Sequence, residues 1–210
     1  IILRPGGTLG DIYAKTDFVR DANGNIDISQ DLKPRDKYMK LGSILPDANL
    51  GWRNDFSYKQ LSFGFMLSAR LGGIVISGTQ AAMDYSGVSK VTADARNAGG
   101  VPVGGGIVVP AQKYYQLQGR PKDYLTQYYT YNATNLRLRE AYIAFNIPRK
   151  WLGNVVDLNI SLTGKNLWMI YNKAPFDPET IASTGNYAQG IDYFMLPSTR
   201  SFGFSIKARF

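Results

Sequence analysis

The sequence predicts an all-β fold, an antiparallel transmembrane β-barrel segment of about six strands. Three observations predict it. Apolar residues recur with a period of two over long runs, the runs are joined alternately by very short and very long connections, and aromatic residues gather near the ends of the runs. A period of two marks a strand with one apolar and one wet face. Outer-membrane barrels have short periplasmic turns and long extracellular loops, whereas structureless loops of such length are unusual in compact soluble domains. Trp52, Tyr58, Trp151, Trp168, Tyr171 and Phe210 stand where an interfacial girdle would sit.

Taken in order, the first and weakest run is GTLGDIYAK, Gly7 to Lys15. LGWRNDFSY then places Leu50, Trp52, Asn54, Phe56 and Tyr58 on one face. After Lys59 and Gln60, LSFGFMLSARL places Leu61, Phe63, Phe65, Leu67 and Ala69 together, and a two-residue connection between such runs predicts a tight hairpin. LRLREAYIAFNI shows Ala141, Ile143, Phe145 and Ile147 on one face, with a phase break before Glu140 that suggests a bulge. Past the turn PRKWLGN, VVDLNISLTGKNLW sets Val156, Leu158, Ile160 and Leu162 against Asp157, Asn159, Ser161, Thr163 and Lys165. The final run, RSFGFSIKARF, alternates Phe202, Phe204, Ile206, Ala208 and Phe210 with Gly203, Ser205, Lys207 and Arg209. Most runs have about the 9–11 residues a tilted membrane strand needs. All six are expected to be consecutive antiparallel neighbours, with long extracellular loops near 16–49, 72–135 and 171–199. In an open sheet the last strand would be an exposed edge; in a closed barrel it pairs with the first. About six strands are too few to close, since small barrels use ~8 and large plugged ones ~22, so the chain is expected to be the C-terminal part of something longer.

Composition excludes several function classes. Neither Cys nor His occurs, which removes thiolate and imidazole metal sites, Ser-His and Cys-His catalytic pairs and any disulfide framework. The net charge of +8 could suit nucleic acid, but the basic residues are scattered rather than set in a stripe, so no nucleic-acid partner is expected. No run approaches the ~18 apolar residues of a membrane helix. The opening IILRPGGTLG does not read as a signal peptide.

Three stretches together carry a family resemblance: LRLREAYIAFNIPRKWL (136–152), SLTGKNLWMIYN followed by FDPE (161–179) and LPSTRSFGFSIKARF (196–210). In this order and spacing they resemble the end of SusC/RagA-type TonB-dependent outer-membrane transporters of Bacteroidetes. SILPDANLGWRNDFSYKQLSFGFMLSARLGG (43–73) and MDYSGVSKVTADAR (83–96) fit the same family. The resemblance implies a ~22-stranded plugged barrel that imports oligosaccharide or peptide nutrients, works without a cofactor and is no enzyme. It implies as partners the remainder of the same transporter, with its plug and N-terminal barrel strands, and a SusD-like surface lipoprotein as a lid. A TonB complex reached through the missing N-terminal part, the barrel-insertion machinery, and outer-membrane lipid and lipopolysaccharide complete the set. It also implies that the terminal aromatic, Phe210, is an assembly signal read by the insertion machinery.

Other motifs compete with plainer readings. DANGNIDISQD (21–31) has the spacing of a calcium loop through Asp21, Asn23, Asn25 and Asp27, but Ile26 stands where Gly must turn the loop and Leu32 where a bidentate Glu belongs. An Asn23-Gly24 turn is the better reading. GGVPVGGGIVVP (99–110) lacks the Gly-Lys-Ser/Thr of a phosphate loop and reads as pliable backbone. Asp177 and Glu179 of FDPE could pair as acid and base, yet read more simply as a structural landmark. Between 113 and 135, Tyr114, Tyr115, Tyr124, Tyr128 and Tyr129 offer amphipathic rings for contact with a sugar, a peptide or the lid, against the alternative of a loop packed on itself. A different function class, a stand-alone all-β adhesin or glycan-binding module, would need a second sheet within the long stretches to bury the same alternating faces.

Overall fold

A computed structural model describes residues 5–15, 17–28, 32–121, 123–182 and 189–209. In chain order its elements are β1 (Asp11–Lys15), β2 (Tyr38–Ser43), β3 (Ala48–Tyr58), β4 (Leu61–Leu71), β5 (Ile74–Ser77), α1 (Gly78–Tyr85), α2 (Lys90–Asn97), β6 (Val101–Gly104), β7 (Ile107–Val109), α3 (Ala111–Gln118), β8 (Thr130–Asn132), β9 (Asn135–Ile147), β10 (Asp157–Asn172), β11 (Ile191–Asp192) and β12 (Ser201–Arg209). They sort into two compact units, one drawn from 46–72, 133–179 and 196–210, the other from 1–45, 73–132 and 180–195.

The first unit is a five-stranded antiparallel sheet in the order β12-β10-β9-β4-β3. Its side chains line up in rungs that cross all five strands. One rung runs Phe56, Phe63, Ile143, Leu162, Phe204, and the next Tyr58, Leu61, Phe145, Ile160, Ile206. All five members of the first rung are exposed, from 44% at Phe63 to 65% at Phe204, although a water-soluble sheet would cover such a row. The opposite face carries Ser57, Ser62, Ala144, Ser161, Ser205 and then Asp55, Gly64, Tyr142, Thr163, Gly203. Stacking of Phe56 on Phe63, with centroids 4.8 Å apart, adds a cross-strand contact to the apolar face.

Rows of aromatics bound this apolar band. Trp52 pairs across Leu67 and Leu138 to Trp168, and six residues further along β3 lies the Tyr58 rung. At ~3.4 Å per residue the two rows stand about 20 Å apart, close to the ~25 Å band of an outer-membrane barrel. Trp52, Tyr58, Trp151, Trp168 and Tyr171 are all exposed, and Trp151 packs its ring 6.3 Å from that of Phe145. Phe210 lies outside the described residues.

Both short turns sit at one end of the sheet. Lys59 takes φ +53° in the β3–β4 turn, and the Asn146 N–H donates to the Gln60 carbonyl at 2.8 Å. The β9–β10 turn contains one 3₁₀ turn, Arg149–Trp151, and Asp157 clasps it by accepting from the Arg149 N–H at 3.0 Å and Nε at 2.9 Å. The long connections leave from the other end, after Leu71 and Asn172. The expected phase break is a bulge: Met66 pairs with Glu140 and Leu67 with Leu138, which leaves Arg139 unpaired opposite Asn166 and Leu167. Asn166 takes φ +51° there.

The second unit corrects two expectations. β1 does not join the large sheet; it pairs with β2, and Asp11 at its start accepts from Lys40 Nζ of β2 at 2.6 Å and from the Thr8 hydroxyl at 2.8 Å. The large sheet therefore holds five of the six expected strands. The long stretches are also not structureless, since they contain three eight-residue helices, the β11-β5-β8 sheet and the β6-β7 hairpin. GGVPVGGGIVVP forms that hairpin, with Gly104, Gly105 and Gly106 all at positive φ in its turn. α1 and α2 start at Ser77 and Ser89, whose hydroxyls accept from the N–H two residues into the helix, at 3.1 and 3.3 Å. The core consists of Phe18, Ile26, Leu32, Val103, Val109, Ala111, Tyr114, Tyr115 and Leu125. None of the described helices is long and apolar enough to cross a membrane.

Candidate functional site

The polar face of the large sheet supplies the first candidate surface. Tyr142 donates to Asp55 Oδ1 at 2.8 Å across β4, and Arg53 Nε donates to Asp55 Oδ2 at 2.9 Å. Gly64 sits between them because any Cβ there would strike the Tyr142 ring and the Asp55 carboxylate. Asn159 donates to Asn146 Oδ1 at 2.5 Å nearer the short turns. Such a surface of exposed amides, hydroxyls and paired charges can exchange hydrogen bonds with a polar solute but holds no activated nucleophile.

At the other end of the sheet the bulge aims Arg139 toward Ser68, to which its Nε donates at 2.8 Å, and toward Glu179, to which its Nη2 is paired. One pleat away, Arg137 is 3% exposed and makes a two-point contact with Asp177 through Nη1, at 3.1 Å, and Nη2. Its Nε donates to Asn135 Oδ1 at 3.1 Å and lies 3.4 Å from Glu179 Oε1. Ser198 donates to Asp177 Oδ2 at 2.6 Å and the Glu179 N–H to Oδ1 at 3.0 Å. Burial alone would raise the Asp177 carboxyl, but the bonds from Arg137, Ser198 and the Glu179 N–H outweigh it and hold the group at about 2. A carboxylate ionised so firmly is no general acid near neutrality. FDPE is thus bound into a structural clamp. Sequence reading singled out Asp177 and Glu179 but not their partners; the alternating arginines of LRLRE were the available signal.

The tyrosines of 113–135 lie elsewhere, in the second unit. Tyr114 and Tyr115 project from α3 into the core, each 8% exposed, and Tyr129 is 1% exposed. Tyr114 packs on Phe18 at 5.0 Å and on Tyr115 at 5.2 Å, and Tyr124 on Tyr129 at 5.8 Å. Tyr128 is half-buried and donates to Asp17 Oδ1 at 2.7 Å, where Arg20 Nε also binds Oδ2 at 2.7 Å. Burial, the first cause for each, pushes all five hydroxyls up. Asp17 responds the other way: burial would raise it, yet Arg20 and Tyr128 together hold it low. The five rings share one unit, and Tyr124 and Tyr128 are the two not fully buried.

In DANGNIDISQD, Asp21 Oδ1 accepts from the Asn23 and Asn25 N–H groups, both at 2.9 Å, and Gly24 takes φ +83°, so the Asn23-Gly24 turn forms. Among the described residues no three carboxylates gather as a metal site would require.

No protein-family model matches the chain. Over 98% of its length it is 26% identical to TonB-dependent receptor P3 of Formosa agariphila, and over 90% it is 27% identical to TonB-dependent receptor P26 of the same organism. The chain spans only 20% and 19% of the length of these two relatives. Among solved structures, the RagAB peptide importer in its open-open state matches 95% of this chain and 22% of its own at TM-score 0.62 and 16% identity. In the closed-closed state the match covers 98% and 24% at TM-score 0.59 and 18% identity. These likenesses bear out the resemblance to SusC/RagA-type TonB-dependent transporters and the antiparallel membrane-barrel fold class.

Proposed function

We propose that this chain, similar to about a fifth of a SusC/RagA-type TonB-dependent transporter, is the C-terminal portion of such a transporter's barrel in the outer membrane. The rungs that cross five strands carry this reading: Phe56, Phe63, Ile143, Leu162 and Phe204 stay exposed on one face while Ser57, Ser62, Ser161 and Ser205 line the other. That pattern suits lipid outside and a wet lumen inside. In a stand-alone glycan-binding sandwich the same apolar rung would be core.

In this reading the whole transporter imports oligosaccharide or peptide, with the polar sheet face lining its lumen and the long connections facing the cell exterior. A SusD-like lipoprotein covers it, and energy arrives from the TonB complex through the N-terminal part. No covalent catalysis is involved. The test is made in the native host with the complete gene. Deletion should abolish growth on one class of oligosaccharide or peptide as sole nutrient, and a tagged receptor should fractionate with the outer membrane and co-purify a surface lipoprotein. A receptor found in the soluble fraction would sink the proposal.

A further inference from the structure

The short-turn end of the large sheet carries more positive charge than its own contacts use. Residues 57–62, 145–161 and 204–209 form this end, and they hold five cations, Lys59, Arg149, Lys150, Lys207 and Arg209, against one acid, Asp157. Asp157 is already taken by Arg149. The other four cations form no ion pair among the described residues. At the opposite end of the sheet, by contrast, Arg137 and Arg139 are paired with Asp177 and Glu179. Lys59 and Lys150 stand in the turns themselves, both exposed and each beside an aromatic, since Lys59 follows Tyr58 and Lys150 precedes Trp151. The two turns are neighbours: the Asn146 N–H donates to the Gln60 carbonyl at 2.8 Å, and Phe145, on which the Trp151 ring packs, pairs with Leu61. Tyr58 is 72% and Trp151 60% exposed, and Lys59 Nζ lies 5.3 Å from the centre of the Tyr58 ring.

We propose that this end of the sheet binds anionic phospholipid in the leaflet it meets, with Lys59 and Lys150 attracting the headgroup phosphate and Tyr58 and Trp151 setting the depth. The inference goes beyond the import reading but rests on that reading's placement of the sheet in a membrane. Rings with an apolar body and a polar edge settle at the headgroup layer. A lysine one residue away, in the turn, then stands at the level of the lipid phosphates, and its flexible stem lets the ammonium reach them while its methylenes cover apolar surface. Zwitterionic headgroups also carry phosphate, but their own ammonium meets like charge here. A surface with four unpaired cations and its single acid already paired therefore favours a lipid of net negative charge. The surroundings suit acyl chains. Val155, in the same turn as Trp151, is 64% exposed, and the rung Tyr58, Leu61, Phe145, Ile160, Ile206 carries the apolar band up to the turns. Lys207 and Arg209 alternate onto the polar face of β12, so in the proposed barrel they add to the field rather than to the contact.

The experiment measures lipid retention by native mass spectrometry on the complete detergent-purified receptor, incubated with equal amounts of dioleoyl phosphatidylglycerol and dioleoyl phosphatidylcholine, which share acyl chains and differ in headgroup charge. Phosphatidylglycerol should be retained in preference. Lys59→Gln with Lys150→Gln, both at exposed turn positions, should reduce that preference by about fivefold for each lysine removed. The charge-conserving pair Lys59→Arg with Lys150→Arg should keep it, which separates charge from turn geometry. Inorganic phosphate at matched ionic strength should not displace the lipid. Equal retention of the two lipids, an unchanged preference in the glutamine variant, or displacement by inorganic phosphate would each overturn the assignment. Equal retention by a receptor that fractionates with the outer membrane removes this proposal alone, whereas a receptor found in the soluble fraction removes it together with the barrel reading.

Discussion

Arg137 on β9 and Asp177 beyond the end of β10 form a two-point ion pair in which the arginine is 4% and the carboxylate 8% exposed at the side chain. The pair ties the sheet to the segment that follows β10, and through Ser198 to the approach to β12. Removing one partner strands the other in a dry site. Arg137→Ala is expected to destabilise the receptor by roughly 3 kcal/mol, near the low end for broken buried pairs because Asp177 keeps Ser198 and the Glu179 N–H. Replacing both, Arg137→Met with Asp177→Leu, should recover much of the loss. Denaturant titration in detergent checks both values, and a double variant weaker than the single one would contradict the clamp.

The same pair sets a pH dependence. The folded-state carboxyl of Asp177 is lowered to about 2 from its ordinary value near 3.8, so its contribution is fully present above the unfolded value and is lost as pH falls through the folded one. Between pH 5 and 8 this pair should leave stability flat. Between about pH 4 and 2 roughly 2 kcal/mol should disappear. The difference in unfolding free energy between wild type and Asp177→Asn, followed over this range, should shrink toward acid; a constant difference would show that the ionised pair is not its source.

Tyr128→Phe separates packing from ligand contact in the tyrosine-rich stretch. Its hydroxyl donates to Asp17 at 2.7 Å, and its ring lies 6.0 Å from Phe18. Losing one hydrogen bond to a charged acceptor should cost about 1–2 kcal/mol. If the residue serves only this network, thermal stability should fall while uptake per folded receptor holds; a drop in uptake at unchanged stability would instead make it a ligand contact.

Ser77 caps α1 and also donates to Asp192 Oδ2 at 3.1 Å, joining the start of the helix to β11 from a site 2% exposed. Ser77→Ala should therefore exceed the usual ~1 kcal/mol for a lost cap, reaching about 2 kcal/mol. Ser89→Ala, at a cap whose hydroxyl bonds only within its own helix start among the described residues, should cost about 1 kcal/mol. Equal losses in a proteolysis or melting assay would count against the Asp192 link.

How much of this was legible follows from the length of each signal. The five long strands announced themselves because a face facing one solvent throughout must repeat every second residue, and runs such as Leu61–Leu71 repeat long enough to fix register. The bulge showed as a broken phase before Glu140. The helices did not show: each has eight residues, too few turns for a 3.6-residue period to stand out, and GTQAAMDY or KVTADARN carry mixed faces. Ser77 and Ser89 were capping signals in plain view. The Arg137 cluster was half legible, because an acidic pair is visible in FDPE while its partners stand forty residues upstream, and only tertiary pairing brings them together.

The sharpest division between readings of the sheet lies at Ile143 and Ser161, on neighbouring strands and opposite faces. Ile143 is the centre of the rung Phe56, Phe63, Ile143, Leu162, Phe204 and is 49% exposed; Ser161 pairs with Ala144 and Ser205 on the polar side. The aromatic rows at Trp52 and at Tyr58 bracket the Ile143 rung, so in the proposed barrel it stands within the band where a charge would face hydrocarbon. Ile143→Arg should then cost about 2–4 kcal/mol in a bilayer folding titration of the complete receptor. Ser161→Arg, on the face that the proposed barrel turns toward a wet lumen, should cost about 0.5 kcal/mol or less. In thin detergent micelles the first penalty should shrink, because the long side chain can reach the headgroup layer, while the second stays small. Equal costs at the two positions would mean that both faces meet the same solvent, and the sheet would then be a wall of a soluble sandwich instead of a barrel.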